Sequence, residues 1–198
     1  MAYLAPARPA PARTRSTVRA ALGRGRRVVY LWRRLKHAFS GRETPRAGIR
    51  ADGAVPANVT VFDDGFPAVT NLDAALLGAL RDAASDAAVD GVGFVVNSGW
   101  RSPQYQERLL LEAVWTHGSE RKAARLVATP GTSAHVSGDA VDLGPAEATA
   151  WLSEHGARYG LCQVYANEPW HYELRPEAIV HGRPPMYADP THDPRMQH

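Results

Sequence analysis

The chain has 198 residues and a single cysteine, Cys162. One thiol excludes an internal disulfide framework. Long apolar runs are also missing: nothing approaches the roughly 18 consecutive apolar residues of a membrane-spanning helix. Acidic residues are nearly absent from the first fifty positions, where thirteen Lys/Arg face one acid, Glu43. Residues 51–198 reverse this, with ten Lys/Arg against nineteen Asp/Glu. The formal net charge of +3 is therefore the average of a +12 front and a −9 body. The pI of about 9.2 does not describe the folded part, and an acidic body argues against nucleic-acid binding there. Charged residues at 22% and the AVILMFWYC set at 44% exclude a chain disordered throughout.

The basic front is rich in Pro, Ala and Arg over residues 1–16, a low-complexity composition without apolar period. Over 17–39, Val18, Leu22, Val28, Val29, Trp32, Leu35 and Phe39 recur among arginines. This pattern predicts a basic amphipathic helix, weakened by Gly23 and Gly25. A secretory signal needs an apolar core of roughly 7–15 residues. The run Val28–Trp32 is shorter and ends in Arg33-Arg34, so no clear signal peptide is read. The arm suits weak contact with an anionic membrane surface, to which each basic residue contributes on the order of 1 kcal/mol; a solvated tail or an upstream extension from a misassigned start are the alternatives. Ser40–Pro56 reads as a linker. The organisation expected is a partly disordered arm over 1–50, a catalytic body over 51–185 and a flexible tail over 186–198. The chain is expected to be a monomer.

Within the body, Thr70-Asn71 reads as a helix cap before the stripe Leu72, Leu76, Leu80, Ala83 and Ala87, which Asp90-Gly91 stops. Val92–Asn97 is β-rich. Ser102-Pro103 opens a helix to about His117, and a shorter helix follows over 119–127. Thr129–Gly138 reads as loop, Ala140–Leu143 as a strand, Pro145 to Gly156 as a helix, and Leu161–Tyr165 and Trp170–Leu174 as two strands. Strands scattered among helices predict an α+β fold with a small, largely antiparallel sheet flanked by helices.

Three clusters carry chemistry: Ser98-Gly99-Trp100-Arg101-Ser102, then Ser133 to Asp142 (SAHVSGDAVD), then Glu168-Pro169-Trp170-His171-Tyr172. A catalytic zinc takes three protein ligands and leaves a position open. His135, Asp142 and His171 offer two imidazoles and a carboxylate. Strand alternation puts Asp142 on the face opposite Val141 and Leu143, and His171 with Glu173 opposite Tyr172. Pro169 holds Glu168 extended, near the metal without making it a ligand, where it can act as a base. Glu173 is a candidate partner for His171. Spacing alone leaves the alternative of a loop histidine and a capping aspartate open.

Ser133, His135, Gly138, Ala140 and Asp142 match S-x-H-x-x-G-x-A-x-D. Together with E-P-W-H at 168–171 and S-G-W-R-S at 98–102, they resemble the D-alanyl-D-alanine carboxypeptidase family of zinc peptidases over roughly residues 60–178. That resemblance implies a zinc site in a cleft over the sheet, one Zn2+ per chain. His135, Asp142 and His171 would be the ligands and Glu168 the general base, then acid. Arg101 would stabilise the oxyanion or hold the substrate, and Ser133 would line the substrate site. It also implies action on peptidoglycan stem peptides, hence a place outside the cytoplasm, which sits awkwardly with the missing signal. The family further includes dipeptidases and L-alanyl–D-glutamate endopeptidases, and a relative that binds without catalysis is a third reading. No nucleic-acid partner is expected.

Overall fold

The computed structural model describes residues 50–196; the amphipathic helix expected over 17–39 lies outside them. In chain order they form α1 (Pro67–Thr70), α2 (Ala74–Val89), β1 (Val95–Ser98), α3 (Pro103–His117), α4 (Glu120–Ala123) and α5 (Ala134–Ser137). There follow β2 (Ala140–Gly144), α6 (Ala146–His155), β3 (Leu161–Gln163), β4 (His171–Leu174) and α7 (Ala178–His181). The sheet order is β1-β2-β4-β3, every pair antiparallel. This is the α+β class read from the sequence. Among the described residues no helix is long and apolar enough to cross a membrane.

Helix α2 supplies the apolar stripe. Leu76, Leu80, Ala83 and Ala87 are buried and pack with Val96, Val141, Leu143, Trp151, Leu152, Leu161 and Tyr172. Each fully buried Leu contributes about 1.5–3 kcal/mol through the apolar area it removes from water. Four of the five stripe residues lie on α2, while Leu72, expected to open it, is buried just before the helix. Asp73, not Thr70-Asn71, caps α2: its Oδ1 accepts from the amides of Ala75 (2.9 Å) and Leu76 (3.0 Å). Thr70 instead ends the single turn of α1. At the other end the amides of Gly91 and Val92 return to the carbonyls of Ala88 and Ala87, a Schellman closure with Gly91 at φ 74°. Val92 is thereby occupied, and β1 starts at Val95 rather than at Val92.

Ser102 caps α3, its hydroxyl accepting from the Tyr105 amide at 3.1 Å, with Pro103 at the first helical position. Helix α4 is a single turn, shorter than the 119–127 expected. Residues 187–196, set aside in the sequence as a tail, return to the body. Tyr187 bridges to Tyr165 in parallel, and Asp189 and Asp193 are buried. Cys162 is a buried residue of β3.

Candidate metal centre

The register places the site. Ser98 of β1 faces Asp142 of β2, and Asp142 faces His171 of β4. Directly paired residues share a sheet face, so these three side chains form one row. Their neighbours Val141, Leu143 and Tyr172 point the other way, into the core. One face of the same three strands is thus core and the other is the site.

His135 reaches this row from the single turn α5, inside the segment expected to be loop. Gly138 ends the turn at φ 87°, and a Cβ there would meet the Asn71 carbonyl oxygen at 2.5 Å. Left-handed backbone and close approach together require glycine. Gly99 is needed for space alone: its Cβ would lie 1.9 Å from the Ala68 carbonyl oxygen. The strand-to-helix corner at 98–102 is stitched down by the Trp100 amide donating to Ala68 O and the Arg101 amide to His135 O. In return Nδ1 of His135 lies 2.9 Å from the Gly99 carbonyl oxygen. A carbonyl only accepts, so Nδ1 carries the proton and Nε2 presents its lone pair to the site.

Asp142 Oδ1 lies 3.3 Å from His135 Nε2 and 3.3 Å from His171 Nδ1. Both gaps are long for a charge-assisted hydrogen bond, about 2.7–2.9 Å. They match the edge of a tetrahedron of zinc ligands, about 3.3 Å for bonds of 2.0–2.1 Å. His135, Asp142 and His171 are all buried, with one ligand atom from each within 4.8 Å of the others. Two imidazoles and a carboxylate are a donor set zinc accepts, so the residues fit that metal.

The other oxygen of Asp142 is held by Arg101, whose Nη2 donates to Oδ2 at 2.8 Å. The guanidinium also donates through Nε to Ser98 Oγ (2.7 Å) and through Nη1 to Gln106 Oε1 (3.0 Å). The family resemblance gives Arg101 the substrate or oxyanion; its bonds add the holding of Asp142. Ser98 belongs to the S-G-W-R-S cluster, though the sequence assigns it no role, and nothing in the sequence marks Gln106. A serine at the end of a strand and a buried polar residue on α3 carry no distinctive pattern before the arginine's direction is known.

Glu168 stands beside the row, its Oε2 3.8 Å from His171 Nδ1. Its Oε1 is buried and has no hydrogen-bond partner among the described residues. Burial pushes this carboxyl up to about 7, against the pull of His171; a cation at the site would oppose that rise. Asp142 is also desolvated, but His135, His171 and Arg101 hold it well below the usual carboxylate range. Burial, aided by Arg101, pushes the His135 imidazole down. Burial would lower His171 too, yet its bonds to Asp142 and Glu173 carry it up to about 10. Ser133 is buried at the start of α5, and its hydroxyl does not cap that turn.

Glu173, the suggested partner of His171, has Oε1 3.3 Å from His171 Nε2. It is also held by Arg175 (Nη2 to Oε2, 2.8 Å) and Arg195 (Nη1 to Oε2, 2.7 Å). No local pattern marks Arg195, which lies in a proline-rich segment without period.

A family model described as VanY, D-alanyl-D-alanine carboxypeptidase, matches residues 70–177. A D-alanyl-D-alanine carboxypeptidase of Enterococcus faecalis (strain ATCC 700802 / V583) is 28% identical over 149 residues. That alignment takes in 63% of this chain and 56% of the enterococcal protein, so the chain spans little more than half its relative's length. Among solved structures, the vancomycin-resistance D,D-pentapeptidase VanY of a VanB-type cassette, a point variant in complex with Zn(II), is 28% identical with a TM-score of 0.51. That likeness covers 68% of this chain and 84% of the other. The LD-carboxypeptidase LdcB shares the fold at 23% identity and a TM-score of 0.53, over 70% and 75% of the two chains.

Proposed function

Because the chain belongs to the VanY D-alanyl-D-alanine carboxypeptidase family, we propose that it is a zinc-dependent peptidase removing the terminal D-Ala from peptidoglycan stem peptides. One observation carries the reading: a buried His135–Asp142–His171 cluster stands beside a carboxylate with an unpartnered buried oxygen. Nothing in core packing calls for that combination.

His135 Nε2, Asp142 Oδ1 and His171 Nδ1 would hold the zinc. When bound, zinc supplies Lewis acidity, polarising the scissile carbonyl and lowering the pKa of a water to roughly 7. Glu168 takes the proton of the attacking water on its unpartnered oxygen and returns it to the leaving amine. Burial favours this carboxyl's taking the proton, and a cation at the site would favour its giving the proton back. Arg101 fixes Asp142 through Oδ2, leaving Oδ1 to face the imidazoles, and its charge favours the developing oxyanion. Ser133, buried at the start of α5 next to His135, would offer the substrate a hydroxyl. The +12 arm supplies electrostatic attraction to anionic envelope surfaces, in keeping with an extracytoplasmic substrate.

The test is chromatography with mass analysis of pentapeptide muropeptides incubated with the full chain and zinc. Loss of one terminal D-Ala is the expected product. Release of a D-Ala-D-Ala dipeptide, or scission after L-Ala, replaces the carboxypeptidase reading with a dipeptidase or endopeptidase one. No cleavage with zinc or a second metal overturns the enzyme.

A further inference from the structure

His171 is the one member of the cluster faced on both ring nitrogens by carboxylates. Nδ1 faces Asp142 at 3.3 Å and Nε2 faces Glu173 at 3.3 Å. Glu173 is one residue past Tyr172 on β4 and pairs in register with Ala140 of β2, whose small side chain leaves space beside it. The carboxylate is buried, so its position depends on what holds it. Arg175 donates from the strand's own end. The second holder comes from the far end of the described chain. Arg195 grips Glu173 with both terminal nitrogens, Nη1 to Oε2 at 2.7 Å and Nη2 to Oε1 at 3.2 Å.

Arg195 is itself set by the segment that carries it. Its Nε and Nη2 lie against the Asp193 carboxylate at 2.5–3.1 Å, and its amide donates to Asp193 Oδ1 at 2.9 Å. Asp193 is buried and accepts the Tyr165 hydroxyl at 2.9 Å. The Tyr165 ring in turn packs on the His171 ring, centroids 5.1 Å apart. Asp189 is tied to Arg125 (2.7 Å), and Tyr187 to Tyr165 and Val164 through the backbone. Two routes therefore run from residues 187–196 to one imidazole, one through Glu173 and one through Tyr165. Arg195 and Asp193 lie beyond residues 70–177, the span the family model matches.

We infer that residues 187–196 form a strap that completes the metal centre, with Arg195 and Glu173 acting as positioning residues for His171. The inference rests on the reading of His135, Asp142 and His171 as metal ligands. A bidentate arginine fixes the Glu173 carboxylate in plane and distance, and the carboxylate fixes the ring's orientation and makes Nε2 the protonated nitrogen. Nδ1 is then left as the donor, aimed at the same point as His135 Nε2 and Asp142 Oδ1. Partners of this kind typically change metal affinity 10–100-fold. Arg195→Lys keeps the charge and loses the fork, so it separates geometry from electrostatics.

The experiment is zinc binding by competition with a chromophoric chelator, on the full chain, with the visible spectrum of the Co(II)-loaded protein as a second readout. The variants are Glu173→Gln, Arg195→Ala, Arg195→Lys and His171→Ala, each checked by thermal melting. Glu173→Gln is expected to weaken zinc about 10–100-fold and Arg195→Ala about tenfold, with a changed Co(II) band in both. Arg195→Lys is expected to fall between Arg195→Ala and the parent. Should Arg195→Ala fail to melt cooperatively, the near-isosteric Glu173→Gln decides. Parent-like zinc affinity and Co(II) spectrum in Glu173→Gln and Arg195→Ala, while His171→Ala loses the metal, overturn the strap and leave the metal reading intact. A parent chain that binds no zinc overturns both.

Discussion

A buried carboxylate oxygen without a hydrogen-bond partner costs free energy in the folded state, about 1–3 kcal/mol or more for a charged group. Glu168 Oε1 is such an atom, and the expense makes sense if the atom's partner is a reacting water. Glu168→Gln retains the volume and removes the basicity. It is expected to bind zinc with parent stoichiometry while turnover falls about 10²–10⁴-fold, the usual span for a general base. Turnover near the parent's in a zinc-loaded Glu168→Gln protein means another group takes the proton. Arg101 makes a different prediction. Its side chain and that of Asp142 are 5% and 2% exposed, so Arg101→Met strands a charge in the interior. Such a break is expected to destabilise the zinc-free protein by about 3–5 kcal/mol, read by urea unfolding. A change below about 1 kcal/mol would mean Asp142 is satisfied without the arginine.

At the scale of elements, period and punctuation made most of the fold legible. Leu76, Leu80, Ala83 and Ala87 recur at helical spacing, and Ser102-Pro103 and Gly156 bound their helices where the sequence places them. Strand alternation correctly separated Asp142 from Val141 and Leu143. His135, Asp142, Glu168 and His171 stood out because spaced motifs contain them. What stayed hidden depends on partners distant in sequence. The Arg195–Glu173 contact spans 22 positions and Arg101–Asp142 spans 41, and no local pattern encodes either. The helix cap is ambiguous locally for another reason. Thr70, Asn71 and Asp73 are all competent cap residues, and only the bonds choose. Asp73 accepts two amides, and its charge also complements the helix dipole. Asp73→Ala is therefore expected to lower stability by about 1 kcal/mol and Asn71→Ala by less than about 0.5. Equal losses in urea melts would return the cap to the position read from sequence.

The whole molecule divides by charge, and the acidic body uses its carboxylates to tie distant parts together. Asp189 shows the consequence for pH. It receives bonds from the Thr191 amide and hydroxyl, from His192 and from Arg125. Burial alone would raise its carboxyl, but those bonds win and lower it to about 2, from 3.8. A depressed carboxyl contributes stability that is fully present above the unfolded value and is lost as pH falls through the folded one. The contribution of Asp189 is thus constant from neutrality to about pH 4 and drains away between about 4 and 2. Asparagine at this position keeps the shape and has no proton to bind. The Asp189→Asn variant is expected to melt below the parent at pH 6 and pH 5. The gap should narrow as the pH is taken from 4 towards 2.5, because the parent loses what the variant never had. Melting curves of both proteins in matched ionic strength across that range make the comparison. A gap that stays constant down to pH 2.5 would mean that Asp189 contributes through packing alone. The ion pair with Arg125, whose side chain is 61% exposed, would then add nothing to holding the strap in place.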